Sequence, residues 1–144
     1  MDLRLRTRPS AGQSERATVV EVAGEVDLHS APQLRAEIGR AIEQSAPPRI
    51  VVDLAGVTFL DSTGVGVLVG ALKRAREAGG LLHFCNPQPR VCRVFEVTGL
   101  LGALPLFATR DEALEDFGSN ENSSDTEAAQ PRFNGTIIST GEAQ

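Results

Sequence analysis

The chain has 144 residues, 41% of them hydrophobic, and a formal net charge of −5, which suits one domain with a substantial core. No apolar run approaches the roughly 18 residues that span a bilayer, and no basic-then-apolar leader opens the sequence, so a soluble cytoplasmic protein is predicted. There is no basic field, and no tryptophan or tyrosine, which argues against direct nucleic-acid binding through phosphate contacts or base stacking.

In chain order, Leu3-Arg4-Leu5-Arg6 alternates apolar and charged residues, as a half-exposed strand does. Residues 9–15 are turn-like, and residues 17–23 (ATVVEVA) form a second, β-branched strand. Gly24 is a candidate bulge, with the alternation continuing through Val26 and Leu28. Ser30 and Gln33 then have the spacing of a capping box, with Pro32 in the first helical turn. Leu34, Ile38, Ala41 and Ile42 make the apolar stripe of that helix, which Pro47-Pro48 ends.

Residues 49–54 (RIVVDL) are almost continuously apolar, the pattern of a central strand covered on both faces. The stretch FLDSTGVGVLV (59–69) leads from strand to helix. Val65, Leu68, Val69 and Leu72 lie at helical spacing, and Gly79-Gly80 ends the helix. A short strand at residues 81–85 (LLHFC) follows. Asn86-Pro87 is read as cap and first helical residue of a third helix carrying Val91, Val94 and Phe95, closed by Thr98-Gly99. Residues 104–108 supply a last strand, and Thr109 with Glu112 caps a helix ending near Phe117.

This alternation predicts an α/β domain: a mixed, mainly parallel sheet of about four to five strands with about four helices. The domain is expected over residues 1–117, with 118–144 a disordered acidic tail. In that tail Glu121, Asp125, Glu127 and Glu142 against Arg132 give −3, leaving −2 on the body.

Catalytic machinery is not visible. Ser62 sits in D-S-T-G, without a GxSxG elbow. His83 lies inside an apolar strand and His29 ahead of a helix cap. No His, Cys or carboxylate set has metal-ligand spacing, Cys85 and Cys92 form no CxxC pair, and Gly64-Val65-Gly66 lacks a phosphate-loop frame. No cofactor and no metal are expected. An enzyme using Ser62 or Cys85 as nucleophile would need a base, and only Asp61 is near.

The segment GEVDLHSAPQLR (24–35), the strand VVDL and the F-x-DSTG-x-G stretch, in this order and spacing, resemble the STAS domains of bacterial anti-sigma factor antagonists. The resemblance spans roughly residues 3–117. It implies a non-enzymatic switch that, unphosphorylated, binds an anti-sigma factor doubling as a serine kinase and so releases the sigma factor. Phosphorylation of the serine after the aspartate, here Ser62, breaks the complex, and a PP2C-type phosphatase resets it. An alternative within the same resemblance is a regulatory subunit of another complex, such as a lipid transporter.

Helix position suits that role. A serine at a helix start can cap backbone N–H groups, and the same N–H groups and dipole accommodate a phosphate. Asp61, Thr63, Gly64 and Gly66 complete the expected partner-binding surface, the two glycines keeping the first turn slim for close approach. Parallel strands would bring the loops after Leu28 and Leu60 to one sheet edge, adding Asp27 and Ser30.

Overall fold

The structure is a computed structural model, and it describes residues 3–10 and 17–121. Its elements run β1 (Arg4–Pro9), β2 (Thr18–Val26), α1 (Ala31–Glu43), β3 (Arg49–Leu60), α2 (Ser62–Glu77), β4 (Leu81–Cys85), α3 (Pro89–Val97), β5 (Leu106–Phe107) and α4 (Arg110–Glu121). Among the described residues these form one sheet of order β1-β2-β3-β4-β5, with β1 antiparallel to β2 and every other pair parallel. The expected mixed, mainly parallel sheet with four helices is what the chain builds.

Each crossover steps one strand in the same direction. Because such connections share one hand, α1, α2 and α3 fall on the same side of the sheet. There Val20, Val22, Ile50, Val52, Leu54, Leu82 and Phe84 meet Leu34, Ile38, Leu68, Ala71, Leu72, Val91 and Phe95 in one buried cluster. Residues one position along in the strands point the other way, as the pleat requires. Val19, Val51, Cys85 and Phe107 pack under Ala113 and Phe117 of α4. Residues 50–54 of β3 are thus covered on both faces, as their apolar run predicts.

His83 belongs to this second layer. It is buried, its Nδ1–H donates to the Ala113 carbonyl at 2.9 Å, and its ring stacks on Phe117 with centroids 4.3 Å apart. Its Nε2 makes no hydrogen bond and lies 3.5 Å from Asp116 Oδ2. Burial pushes its pKa down to about 4. Where α4 begins, Arg110 donates to Asp53 Oδ2 from Nε (3.1 Å) and Nη2 (2.8 Å) and from Nη2 to Glu21 Oε2 (2.5 Å). Asp53 is 6% exposed and also accepts from the Ala55 N–H at 3.0 Å, so its charge is well compensated.

Several boundaries differ from expectation, each for a local reason. The strand β2 stops at Val26 instead of reaching Leu28, because Asp27 folds the chain into a turn. The strand β3 runs to Leu60, twice its expected length, because β2 follows it through two register shifts, the second at Gly24/Glu25 beside the expected bulge. Asn86 does not cap α3. It sits in the left-handed region (φ 57°), and Gln88 and Pro89 take the cap and first helical positions. The helix α4 continues to Glu121, four residues beyond the expected end, while the rest of the predicted tail, 122–144, lies outside the described residues. Most of the predicted turn at 9–15 lies outside them too.

Candidate functional site: the loop edge at the start of the second helix

Parallel pairing of β2 with β3 puts Val26 opposite Leu60, so the segments that follow them emerge side by side. Asp61 fastens the two together. Its N–H donates to the Val26 carbonyl at 3.1 Å. One carboxylate oxygen accepts from the Gly64 N–H at 2.9 Å, and the other from the Leu28 N–H at 3.2 Å. Asp61 is therefore the N-cap of α2, with extended backbone (φ −101°, ψ −176°).

This corrects the expectation that Ser62 caps the helix. Ser62 is the first helical residue, exposed, and its hydroxyl makes no hydrogen bond among the described residues. The physical reason is register. The carboxylate of Asp61 reaches the N–H three residues on, which leaves no capping role for the next side chain. Ser62 is consequently presented to solvent on a helix start that another residue already holds.

The two glycines divide. A Cβ on Gly64 would lie 2.6 Å from Leu60 Cδ1, 2.7 Å from Val26 Cγ1 and 3.0 Å from the Val26 carbonyl oxygen. Gly64 is buried, and it serves the packing of α2 against the ends of β2 and β3. At Gly66 a Cβ would meet nothing within 4 Å, and the residue is exposed, in keeping with a slim outer surface. Thr63 is half-buried and joins Gly66, Val67 and Gly70 in lining a shallow groove flanked by Arg35 and Arg74.

Asp27 and Ser30 organise the neighbouring turn. Asp27 Oδ1 accepts from the N–H groups of His29 and Ser30, each at 3.0 Å. The Ser30 N–H foremost holds the Asp27 carboxyl below the usual carboxylate range. Ser30 Oγ donates to the Glu25 carbonyl at 2.8 Å and accepts from the Asp27 N–H at 3.0 Å. Ser30 stands at the N-cap position of α1 but makes no side-chain cap, so the expected capping box with Gln33 does not form. Its hydroxyl is directed back into the turn, away from the helix.

Two residues of this edge escaped sequence reasoning. Leu28 is 65% exposed and Phe59 43% exposed, large apolar side chains at the same end of the sheet as Ser62. Phe59 belongs to the FLDSTG motif, and its exposure follows from Leu60 taking the core position beside it. The apolar alternation puts Leu28 on a strand, a setting in which its exposure does not show.

Neither candidate nucleophile has an activated setting. Cys85 is fully buried and burial raises its thiol pKa, while Asp61 is committed to two N–H groups. Among the described residues no group of three or more His, Cys, Asp or Glu side chains is arranged to hold a metal ion. No helix among them is long and apolar enough to cross a membrane.

Comparison with known proteins agrees with this architecture. Residues 8–113 match the family model described as STAS domain. The anti-sigma-B factor antagonist of Bacillus subtilis (strain 168) is 38% identical over 103 residues, 72% of this chain and 93% of that protein. An anti-sigma factor antagonist from Mycobacterium paratuberculosis superposes with a TM-score of 0.71 at 29% identity, covering 81% of this chain and 95% of that one. The anti-sigma factor antagonist SpoIIAA in its unphosphorylated form gives 0.62 at 30% identity, covering 82% and 97%. The phosphorylated form of SpoIIAA, from Bacillus, gives 0.55 at 30% identity, covering 79% and 97%.

Proposed function

The chain belongs to the STAS-domain family, and from that premise we propose that it is an anti-sigma factor antagonist working by partner switching. Unphosphorylated, it binds an anti-sigma factor that is also a serine kinase and thereby frees a sigma factor. Phosphorylation of Ser62 ends the complex, and a PP2C-type phosphatase restores the binding form. The protein acts in the cytoplasm, by binding and not by catalysis.

The observation that carries this reading is the exposed Ser62 hydroxyl on a helix start capped by Asp61. A phosphate there adds roughly −1.5 to −2 charges beside the Asp61 carboxylate. The capping hydrogen bonds do not pass through Ser62, so the fold has no reason to change. What changes is the surface: Leu28 and Phe59 offer apolar area for a partner at this edge, and a new charge among them must be desolvated or repelled on docking. Asp27, Ser30, Thr63 and Gly66 complete the contact surface, with Asp61 and Gly64 supporting it from below.

The test is a pair of variants with the candidate kinase partner and ATP. Mass spectrometry is expected to find one phosphate, on Ser62, in the wild type and none in Ser62→Ala. Ser62→Ala should hold the partner persistently and Ser62→Asp should bind at least tenfold more weakly. Equal affinities of the two variants would sink the reading.

A further inference from the structure

The helix α4 covers only part of its side of the sheet. It begins at Arg110, beside Glu21 and Asp53, and runs toward Ala17 and Val19, where Phe117 packs. The pleat of β1 turns Arg4, Arg6 and Arg8 to that same side, in register with Ala23, Glu21 and Val19. Arg8 therefore lies at the end that α4 approaches, and Arg4 at the end that α4 leaves open. At the open end a groove is lined by Arg4, Arg6, Ala23, Ala55, Gly56 and Arg110 among others, with small side chains along its floor.

Charge on this side falls into two unpaired sets. Glu21 is taken by Arg8 at 2.7 Å and by Arg110, and Asp53 is taken by Arg110. Arg4 and Arg6 are exposed and make no ion pair among the described residues. On α4, Ala113, Asp116 and Phe117 are buried toward the sheet, so the helical repeat turns Asp111 and Glu115 outward. Both acids are exposed, and neither makes an ion pair among the described residues.

The two sets match in spacing as well as in sign. Arg4 and Arg6 are about 6.8 Å apart along β1, and Asp111 and Glu115, one helical turn apart, are separated by a rise of about 6 Å. The basic strip and the acidic ridge share one face of the molecule, with the Arg110 ion pairs between them. Within one molecule the ridge points away from the sheet and the strip lies on it, so the two do not meet. A two-fold axis passing between them brings the ridge of each copy into the groove of the other, the self-complementarity that an isologous interface requires.

We infer that this face docks a second copy of the chain, with Asp111 and Glu115 of each copy against Arg4 and Arg6 of the other. The ion pairs occur twice over in such a dimer, each one weak and sensitive to salt. Between them the floor of Ala23, Ala55 and Gly56 lets the facing helix approach closely. The charges fix the partner and its orientation more than they add affinity, so the dimer is of the weak kind that fills only at high protein concentration. Being two-fold, it closes on itself and does not propagate. The inference does not depend on the role of Ser62.

Sedimentation equilibrium of the full-length chain tests it, from 20 µM to 2 mM protein in 20 mM and in 1 M NaCl. At low salt the weight-average mass should rise with concentration from the monomer value of 15.3 kDa toward twice that, and in 1 M NaCl the rise should be lost. Arg4→Glu/Arg6→Glu and Asp111→Lys/Glu115→Lys should each stay monomeric, and an equimolar mixture of the two should associate again. Arg4→Gln/Arg6→Gln should be monomeric as well, a check that needs no reversal of charge. A wild type that stays monomeric throughout would overturn the inference. So would association that survives in 1 M NaCl or in either reversed variant, or a mixture that fails to associate.

Discussion

Gly64 and Gly66 look alike in the sequence, yet replacing each by alanine should move stability in opposite directions. At Gly64 the added methyl would sit 2.6 and 2.7 Å from Leu60 and Val26 carbons, against an ordinary carbon–carbon contact of about 3.5–4.0 Å. Leu60 and Val26 are 5% and 1% exposed, and the third neighbour is a backbone carbonyl, so none of the three can give way cheaply. Overpacking of this kind costs about 1–3 kcal/mol, and the backbone gain from glycine to alanine is at most about 1 kcal/mol. A net loss of about 1 kcal/mol is expected. At Gly66 nothing stands within 4 Å of the new methyl, so only the helix gain of about 0.5–1 kcal/mol remains. With roughly 4 °C per kcal/mol for a body of this size, Gly64→Ala should melt about 4 °C lower and Gly66→Ala about 2–4 °C higher. Calorimetry or urea denaturation reads both. If both substitutions shift the melting temperature the same way, the packing argument is wrong.

Three further outcomes follow from the geometry. Asp61→Ala removes the α2 cap and the acceptor for the Leu28 N–H, so urea unfolding should show a loss of about 1–2 kcal/mol, with Asp61→Asn recovering most of it. Arg110→Ala leaves the buried Asp53 carboxylate with only the Ala55 N–H and the Asn86 amide as donors among the described residues. A cost of about 1–3 kcal/mol is expected, and Asp53→Asn in the same background should return part of it, whereas no rescue would contradict the pairing. Acid should weaken the fold through His83, whose folded pKa of about 4 lies below its unfolded value near 6.5. The unfolded chain takes up the proton first, so stability is intact above pH 6.5 and falls as the pH drops from 6.5 to 4. The full difference amounts to about 3 kcal/mol, the hydrogen bond to the Ala113 carbonyl opposing the effect of burial. His83→Gln should flatten that slope in denaturation curves, and an unchanged slope would remove His83 from the account.

The sheet was legible because the strands report their burial directly. Ile50, Val52 and Leu54 alternate with Val51 and Asp53, and both sets are buried, under different helices. The helix α2 was legible from its stripe, although its deepest residues also include Ala71 and Ala75, which a stripe of large apolar residues overlooks. The site was harder to read. Asp61 and Ser62 are both good cap residues one position apart, and only the path of the backbone decides which side chain meets the Gly64 N–H. In the same way Ser30 fits a capping box, but Asp27 three residues earlier takes its N–H and turns its hydroxyl inward. Gly64 reads as freedom in one dimension, and in three it is a close approach between α2 and β2. That approach, like the bond from the Leu28 N–H to Asp61, joins segments more than thirty residues apart, and no local pattern carries it.

The order of the strands has a further consequence for how the protein lives at high concentration. An open sheet has two edges, and each offers unpaired N–H and C=O groups to another chain. Here β5, at one edge, is only two residues long. At the other, β1 carries three arginines and closes on Pro9, so a second strand laid alongside would meet like charge and a missing donor. Neither edge is a template for extending the sheet, and the molecule is guarded against fibrous self-association at the two places where its fold would otherwise invite it.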